Sequence, residues 1–186
     1  MPRRSVHEQI TVGAMNLLSE QCVSSTTVEQ LAEASGIQSR TFFGDFPTKE
    51  DVVIGDPVPP GIALQHAREE RPLTGEPWAA RRRAMDVLIG RIRAAPVLAV
   101  QKSSMMIETP GLRGRIFEKQ LIWQGMRVPN MVERIGSGHP DGEFRASARV
   151  SSMRDCFDAA LVEWARVHGK RRIEDFLDEA IDAVRK

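Results

Sequence analysis

The sequence predicts an all-α fold: a small N-terminal three-helix unit followed by a larger helical domain. Three observations predict it. Apolar residues recur at helical spacing through most of the 186 residues, and hardly any stretch alternates apolar and polar positions as a half-buried strand does. The run Gly55-Asp56-Pro57-Val58-Pro59-Pro60-Gly61 divides the chain unequally, because proline lacks a donor and clashes with the preceding helical turn. Between Thr26 and Pro47, two short helical patterns flank a single glycine.

In chain order, Val6, Ile10, Ala14, Leu17 and Leu18 share one face and predict a first helix of about four turns. Thr26 with Glu29, or Thr27 with Gln30, fits a capping box that starts a second helix. Val28, Leu31 and Ala32 form its inner edge, and Ala32 is small enough to let another helix cross closely. Gly36 ends it, since a left-handed residue is least strained as glycine. A short helix from Gln38 to about Gly44 follows, with Phe42 and Phe46 directed inward at i, i+4. Lys49 opens the next one, which leads to Ile54.

Beyond the Pro/Gly run, helices are expected over 62–71, 77–95, 96–107, 110–134, 145–168 and 172–185. Thr109-Pro110 places proline at a first helical position, where its missing N–H does no harm. Pro129 falls inside a helical pattern and predicts a kink. Ser137-Gly138-His139-Pro140-Asp141-Gly142 reads as an exposed loop. The expected domains are therefore 1–55 and 56–186.

Composition narrows the function classes. With 41% apolar and 27% charged residues, the chain has the balance of a globular domain rather than a disordered or fibrous one. The longest apolar run, Ala94 to Val100, contains Pro96 and is far shorter than the roughly 20 residues that span a bilayer. No cleavable apolar leader follows Arg3 and Arg4, so a cytoplasmic location with no membrane partner is expected. Cys22 and Cys156 lie far apart and read as reduced thiols. His7, His66, His139 and His168 show no metal-ligand spacing, so neither metal nor cofactor is expected. No Gly-x-Ser-x-Gly elbow, phosphate-cradling loop or His-Glu-x-x-His occurs, and the chain does not read as an enzyme. Arg81-Arg82-Arg83 and Lys170-Arg171-Arg172 read as solvated helix faces.

Two short helices joined by a glycine-containing turn form a helix-turn-helix, whose second helix enters the major groove of DNA. Gln38, Ser39, Arg40 and Thr41 lead that helix. Glutamine suits adenine, arginine suits guanine, and threonine offers a methyl and a hydroxyl. Thr26 and Thr27 stand at a helix N-terminus, where free N–H groups favour phosphate. Lys49 can neutralise another phosphate, and Arg3 and Arg4 can follow the backbone or enter the minor groove. One count opposes this. Residues 1–55 carry four basic and seven acidic side chains, a net of −3, where a nucleic-acid module is expected to be basic. Glu20 and Glu33 are expected to point away from DNA, and Glu29 to be used in capping.

The run from Thr26 through Phe46-Pro47-Thr48-Lys49-Glu50, after a helix ending near Cys22, resembles the N-terminal DNA-binding domain of the tetracycline-repressor family. The resemblance covers about residues 5–54; the rest is similar only in being helical and of suitable length. Phe43 stands where that family often has tyrosine and brings no phosphate-binding hydroxyl. Gly44 and Asp45 replace common aromatic, basic or histidine residues. Glycine there costs about 1 kcal/mol of helix propensity, and an aspartate facing DNA repels phosphate.

The resemblance implies a bacterial, ligand-responsive regulator, most simply a repressor. It would bind a near-palindromic double-stranded DNA operator as a homodimer, with Arg3, Arg4, Thr26, Thr27, Gln38, Ser39, Arg40, Thr41, Phe43 and Lys49 at the DNA. It also implies a small, largely apolar effector among Met85, Leu88, Ile92, Met105, Met106, Phe117, Trp123 and Phe157. The last two helices would supply the dimer interface through Leu161, Trp164, Phe176, Leu177, Ala180 and Ile181. The alternatives are a DNA-binding regulator without an effector, and a helical protein-interaction module.

Overall fold

A computed structural model describes residues 6–55, 62–63, 66, 82–83, 85–135 and 140–185. Among them are nine helices: α1 Val6–Glu20, α2 Val28–Ala34, α3 Ser39–Asp45, α4 Lys49–Ile54, α5 Asp86–Ala94, α6 Pro96–Glu108, α7 Pro110–Ile135, α8 Gly142–Arg166 and α9 Ile173–Arg185. The fold is all-α, with helix-turn-helix elements first and a larger set of helices after them. The expected helix 62–71 lies largely outside the described residues, as do 77–81 and 84 of the expected helix 77–95 and 137–139 of the expected loop; α5 occupies the later part of 77–95.

The chain divides into two compact units, each considered separately. The first comprises Met1–Asp56 together with Met105–Phe117, and the second Pro57–Ser104 together with Glu118–Lys186. In the first unit, α1 packs against α2 and α4, and α2 against α3. Ile10, Ala14, Met15 and Leu18 of α1 bury one stripe, joined by Leu31, Ala32, Phe42, Phe46, Val52 and Val53. Leu112, at the start of α7, is also fully buried.

Local chemistry sets the ends of α2. Of the two capping boxes the sequence allows, the one that forms is Thr27 with Gln30. The Gln30 backbone N–H donates to the Thr27 hydroxyl at 3.3 Å, and the Thr27 N–H donates to the Gln30 side-chain oxygen at 2.8 Å. Thr27→Ala is therefore expected to lower the stability of this unit by about 1 kcal/mol, read as a fall in its melting temperature. At the other end Gly36 adopts φ 68°, and the Gly36 and Ile37 N–H groups donate to the Glu33 and Ala32 carbonyls at 2.9 and 3.0 Å. This paired pattern closes the helix and turns the chain toward α3.

The second unit is built on the α8–α9 pair. Met153, Cys156, Phe157, Ala160 and Trp164 from α8 meet Ile173, Leu177 and Ile181 from α9, and Met85, Leu88 and Ile89 complete the cluster. A smaller cluster joins Met131 of α7 to Ala146 and Val150 of α8. Helix α7 begins at Pro110 as its sequence suggests, and it continues through Pro129. The arginine runs are ion-paired: Arg82 with Asp86 and Asp178, and Arg171 with Asp175 and Glu179.

Candidate nucleic-acid interface

Helix α3 is presented by two aromatic anchors. Phe42 is fully buried, and its ring lies 5.6 Å from that of Phe46, the residue that terminates the helix. Phe46 in turn stacks on His7 of α1 at 4.4 Å. With one side of a seven-residue helix held inward in this way, the other side faces solvent. Gln38, Arg40 and Thr41 are exposed and Ser39 is half-buried. Phe43 is 52% exposed, and Gly44 and Asp45 are exposed beside it.

The threonine pair divides its work. Thr27 is exposed at the α2 N-terminus, where the helix dipole favours an anion. Thr26 is only 1% exposed, and its hydroxyl donates to the Cys22 carbonyl at 2.9 Å. The expected contact from Thr26 to DNA is thus corrected: its side chain fastens the turn after α1. Lys49 is half-buried, and its ammonium donates to the Ser24 and Thr26 carbonyls at 3.1 and 2.9 Å. It places a cation beside the α2 N-terminus while tying α4 to that loop. Arg3 and Arg4 lie outside the described residues.

The acidic excess is resolved only in part. Gln30, not Glu29, completes the α2 capping box, which leaves Glu29 exposed on the first turn of that helix. Asp51 is buried and accepts from the Thr48 N–H at 3.0 Å, the Thr48 hydroxyl at 2.7 Å and an Arg115 guanidinium nitrogen at 3.2 Å. Neither the Asp51–Arg115 pair nor the role of Gly13 is legible in the linear sequence. A Cβ on Gly13 would stand 2.6 Å from the Ala34 carbonyl oxygen and 2.7 Å from the Ser35 Cα. Gly13, and not Ala32 alone, is what lets α1 approach the helix-turn-helix so closely.

In the second unit, Met85, Leu88 and Phe157 are buried in the main cluster, with Ile92 packed against it. Met105 and Met106 fall in the first unit, as does Phe117, which is 54% exposed. The Trp123 side chain lies outside the described residues. A surface cleft of about 270 Å³ is lined by Pro96, Val97, Val100, Trp164 and His168 among others, and by none of the eight positions expected around an effector. Burial, together with the nearby Lys119 ammonium, pushes the Lys102 ammonium below its ordinary range.

The expected dimer contacts also need correction. Trp164, Leu177 and Ile181 are 4%, 0% and 5% exposed within the chain itself. Their surfaces are already covered and have little left to offer a second copy. Leu161, Phe176 and Ala180 remain partly exposed at the margin of that cluster.

An exposed polar reading helix, anchored by a buried aromatic pair and followed by a larger helical domain, defines a helix-turn-helix transcription regulator. Residues 10–54 match the bacterial regulatory proteins, tetR family. The HTH-type transcriptional regulator TcmR of Streptomyces glaucescens is 28% identical over 167 residues, covering 87% of this chain and 74% of that protein. Among solved structures, the fatty acid degradation regulator FadR of Bacillus halodurans superposes with a TM-score of 0.68 at 16% identity, covering 97% of this chain and 94% of that one. FadR of Bacillus subtilis, solved in complex with stearoyl-CoA, superposes with a TM-score of 0.66 at 15% identity, covering 95% and 96%. Residues 10–54 thus carry a helix-turn-helix domain of the tetR type, and over most of its length the chain is similar to regulators that bear that domain. Among the described residues, no helix is long and apolar enough to cross a membrane.

Proposed function

We propose that this regulator is a repressor, a homodimer that reads a near-palindromic operator through α3 and is released by a small, largely apolar effector. Residues 1–55 carry DNA binding, and 56–186 carry effector binding and dimerisation. The observation that carries the reading is the outward display of Gln38, Arg40 and Thr41 on a helix whose Phe42 is fully buried. Arg40 would read a guanine, Gln38 an adenine, and Thr27 and Lys49 would meet phosphate. A two-fold dimer presents its reading helices about 34 Å apart, which is one turn of DNA. Partly exposed Leu161, Phe176 and Ala180 on α8 and α9 are the proposed contacts between copies. The effector works by population shift: bound better by a dimer whose heads are splayed, it withdraws protein from the operator-competent state. The apolar interior of the second unit, with the adaptable side chains of Met85 and Met153 in it, supports an apolar ligand. So does the apolar acyl chain of the stearoyl-CoA in complex with the similarly folded FadR of Bacillus subtilis.

Titrating the full chain against promoter fragments at several salt concentrations tests the reading. Affinity should fall steeply with salt as phosphate contacts are weakened. Arg40→Ala is expected to remove about 1–3 kcal/mol of discrimination at one base position. Lys49→Ala is expected to weaken all sequences alike and to flatten the salt slope by about one unit. Salt-independent binding, or no binding to any duplex at low salt, would rule the reading out.

A further inference from the structure

We infer that the Arg115–Asp51 ion pair positions the DNA-reading unit, so that operator affinity depends on a side chain of α7 that lies outside the helix-turn-helix. The inference rests on the DNA-binding reading above and adds a means of controlling the same site. Residues Met105–Phe117 belong to the first compact unit although they follow its α4 by fifty residues of chain, and Leu112 is buried there completely. Arg115 lies one helical turn beyond Leu112, and its guanidinium meets Asp51 at 3.2 Å. The Asp51 side chain is 8% exposed and that of Arg115 36%, so the pair joins a buried anion to a partly solvated cation. A carboxylate buried to that degree is strongly disfavoured when a facing cation is withdrawn.

Asp51 also holds the start of α4 by accepting from the N–H and hydroxyl of Thr48. The next residue, Lys49, reaches back to the Ser24 and Thr26 carbonyls, immediately before the Thr27 cap of α2. Two sets of polar contacts, joined by the backbone from Thr48 to Lys49, thus link Arg115 through the first turn of α4 to the α2 N-terminus, where phosphate is proposed to bind. Helix α7 itself continues to Ile135, and its turns from Glu118 onward belong to the second unit. One helix is therefore common to both units, and its first turns carry the guanidinium that holds α4.

The test is a double-mutant cycle in the full chain with Arg115→Gln, Asp51→Asn and the two combined, and with Arg115→Lys as the conservative variant. Two quantities are read: affinity for a bound promoter fragment at fixed salt, and amide hydrogen exchange of residues 49–54 in the free protein. Each single change is expected to weaken binding about tenfold without altering base preference. The double variant should be no weaker than the weaker single, because both remove one interaction. Arg115→Lys should restore most of the affinity, and exchange at 49–54 should quicken in Arg115→Gln. Wild-type affinity and exchange in Arg115→Gln would overturn the inference, as would losses that simply add. If the wild-type chain bound no DNA, the functional reading would fail on its own, and the exchange measurement would still decide the role of the pair.

Discussion

Phe42→Ala is expected to abolish operator binding by unfolding the first unit while the second keeps its helices. Phe42 is fully buried, lies against Phe43 and Phe46, and is the residue within α3 that holds it to the helices beneath. Truncation of a buried phenylalanine removes about 3–5 kcal/mol. A domain as small as this one has roughly 5–15 kcal/mol of stability in all, so most of its margin disappears. The melting transition of this unit should fall by more than about 10 °C. Circular dichroism melts with limited proteolysis would show it, since cleavage should concentrate before residue 56 and within 105–117. Phe42→Leu, which keeps much of the volume, should show the same effect more weakly. A Phe42→Ala variant melting with the wild type would mean that α3 is anchored in some other way.

Gly13→Ala should also weaken DNA binding, from the opposite side of the motif. Mid-helix glycine to alanine ordinarily stabilises by about 0.5–1 kcal/mol, because glycine loses more backbone freedom on folding. At Gly13 the added Cβ meets the Ala34 carbonyl oxygen at 2.6 Å and the Ser35 Cα at 2.7 Å, both main-chain atoms that cannot rotate away. Overpacking of that kind costs about 1–3 kcal/mol, so the clash outweighs the propensity gain and the sign reverses. The turn must move off α1, stretching the bond that the Ser35 hydroxyl donates to the Ile10 carbonyl at 3.2 Å. Since α3 follows that turn directly, its presentation to DNA shifts with it. Gly90, in the middle of α5, is the internal control: a Cβ there meets nothing within 4 Å, and Gly90→Ala should stabilise. Paired thermal melts and operator titrations of the two variants should give opposite signs in stability. Equal stabilisation by both would show that α1 and the turn are less closely apposed than described.

Much of the first unit was legible in order along the chain. The α2 cap, the Gly36 turn and the inward step from Phe42 to Phe46 each depend on residues within five positions of one another. Local hydrogen bonding and helical period determine such features before the chain has folded. The limits of α6, α7 and α9 were legible for the same reason, through Pro96, Pro110 and the stripe from Ile173 to Val184. The way the last two helices bury their apolar stripes was less legible. Trp164, Leu177 and Ile181 have the spacing of an exposed apolar seam, yet they lie inside the chain's own core. Periodicity reports that a side chain is covered but not what covers it.

The sequence by itself determined the helical character of this protein and its reading motif. It also determined which side chains of α3 point outward, because propensity, capping and i, i+4 spacing act over a few residues. Tertiary structure alone decided that Gly13 is where α1 meets the turn after α2, and that Asp51 meets Arg115. Those outcomes depend on distances between groups far apart in the chain, and such distances exist only once the backbone has closed on itself.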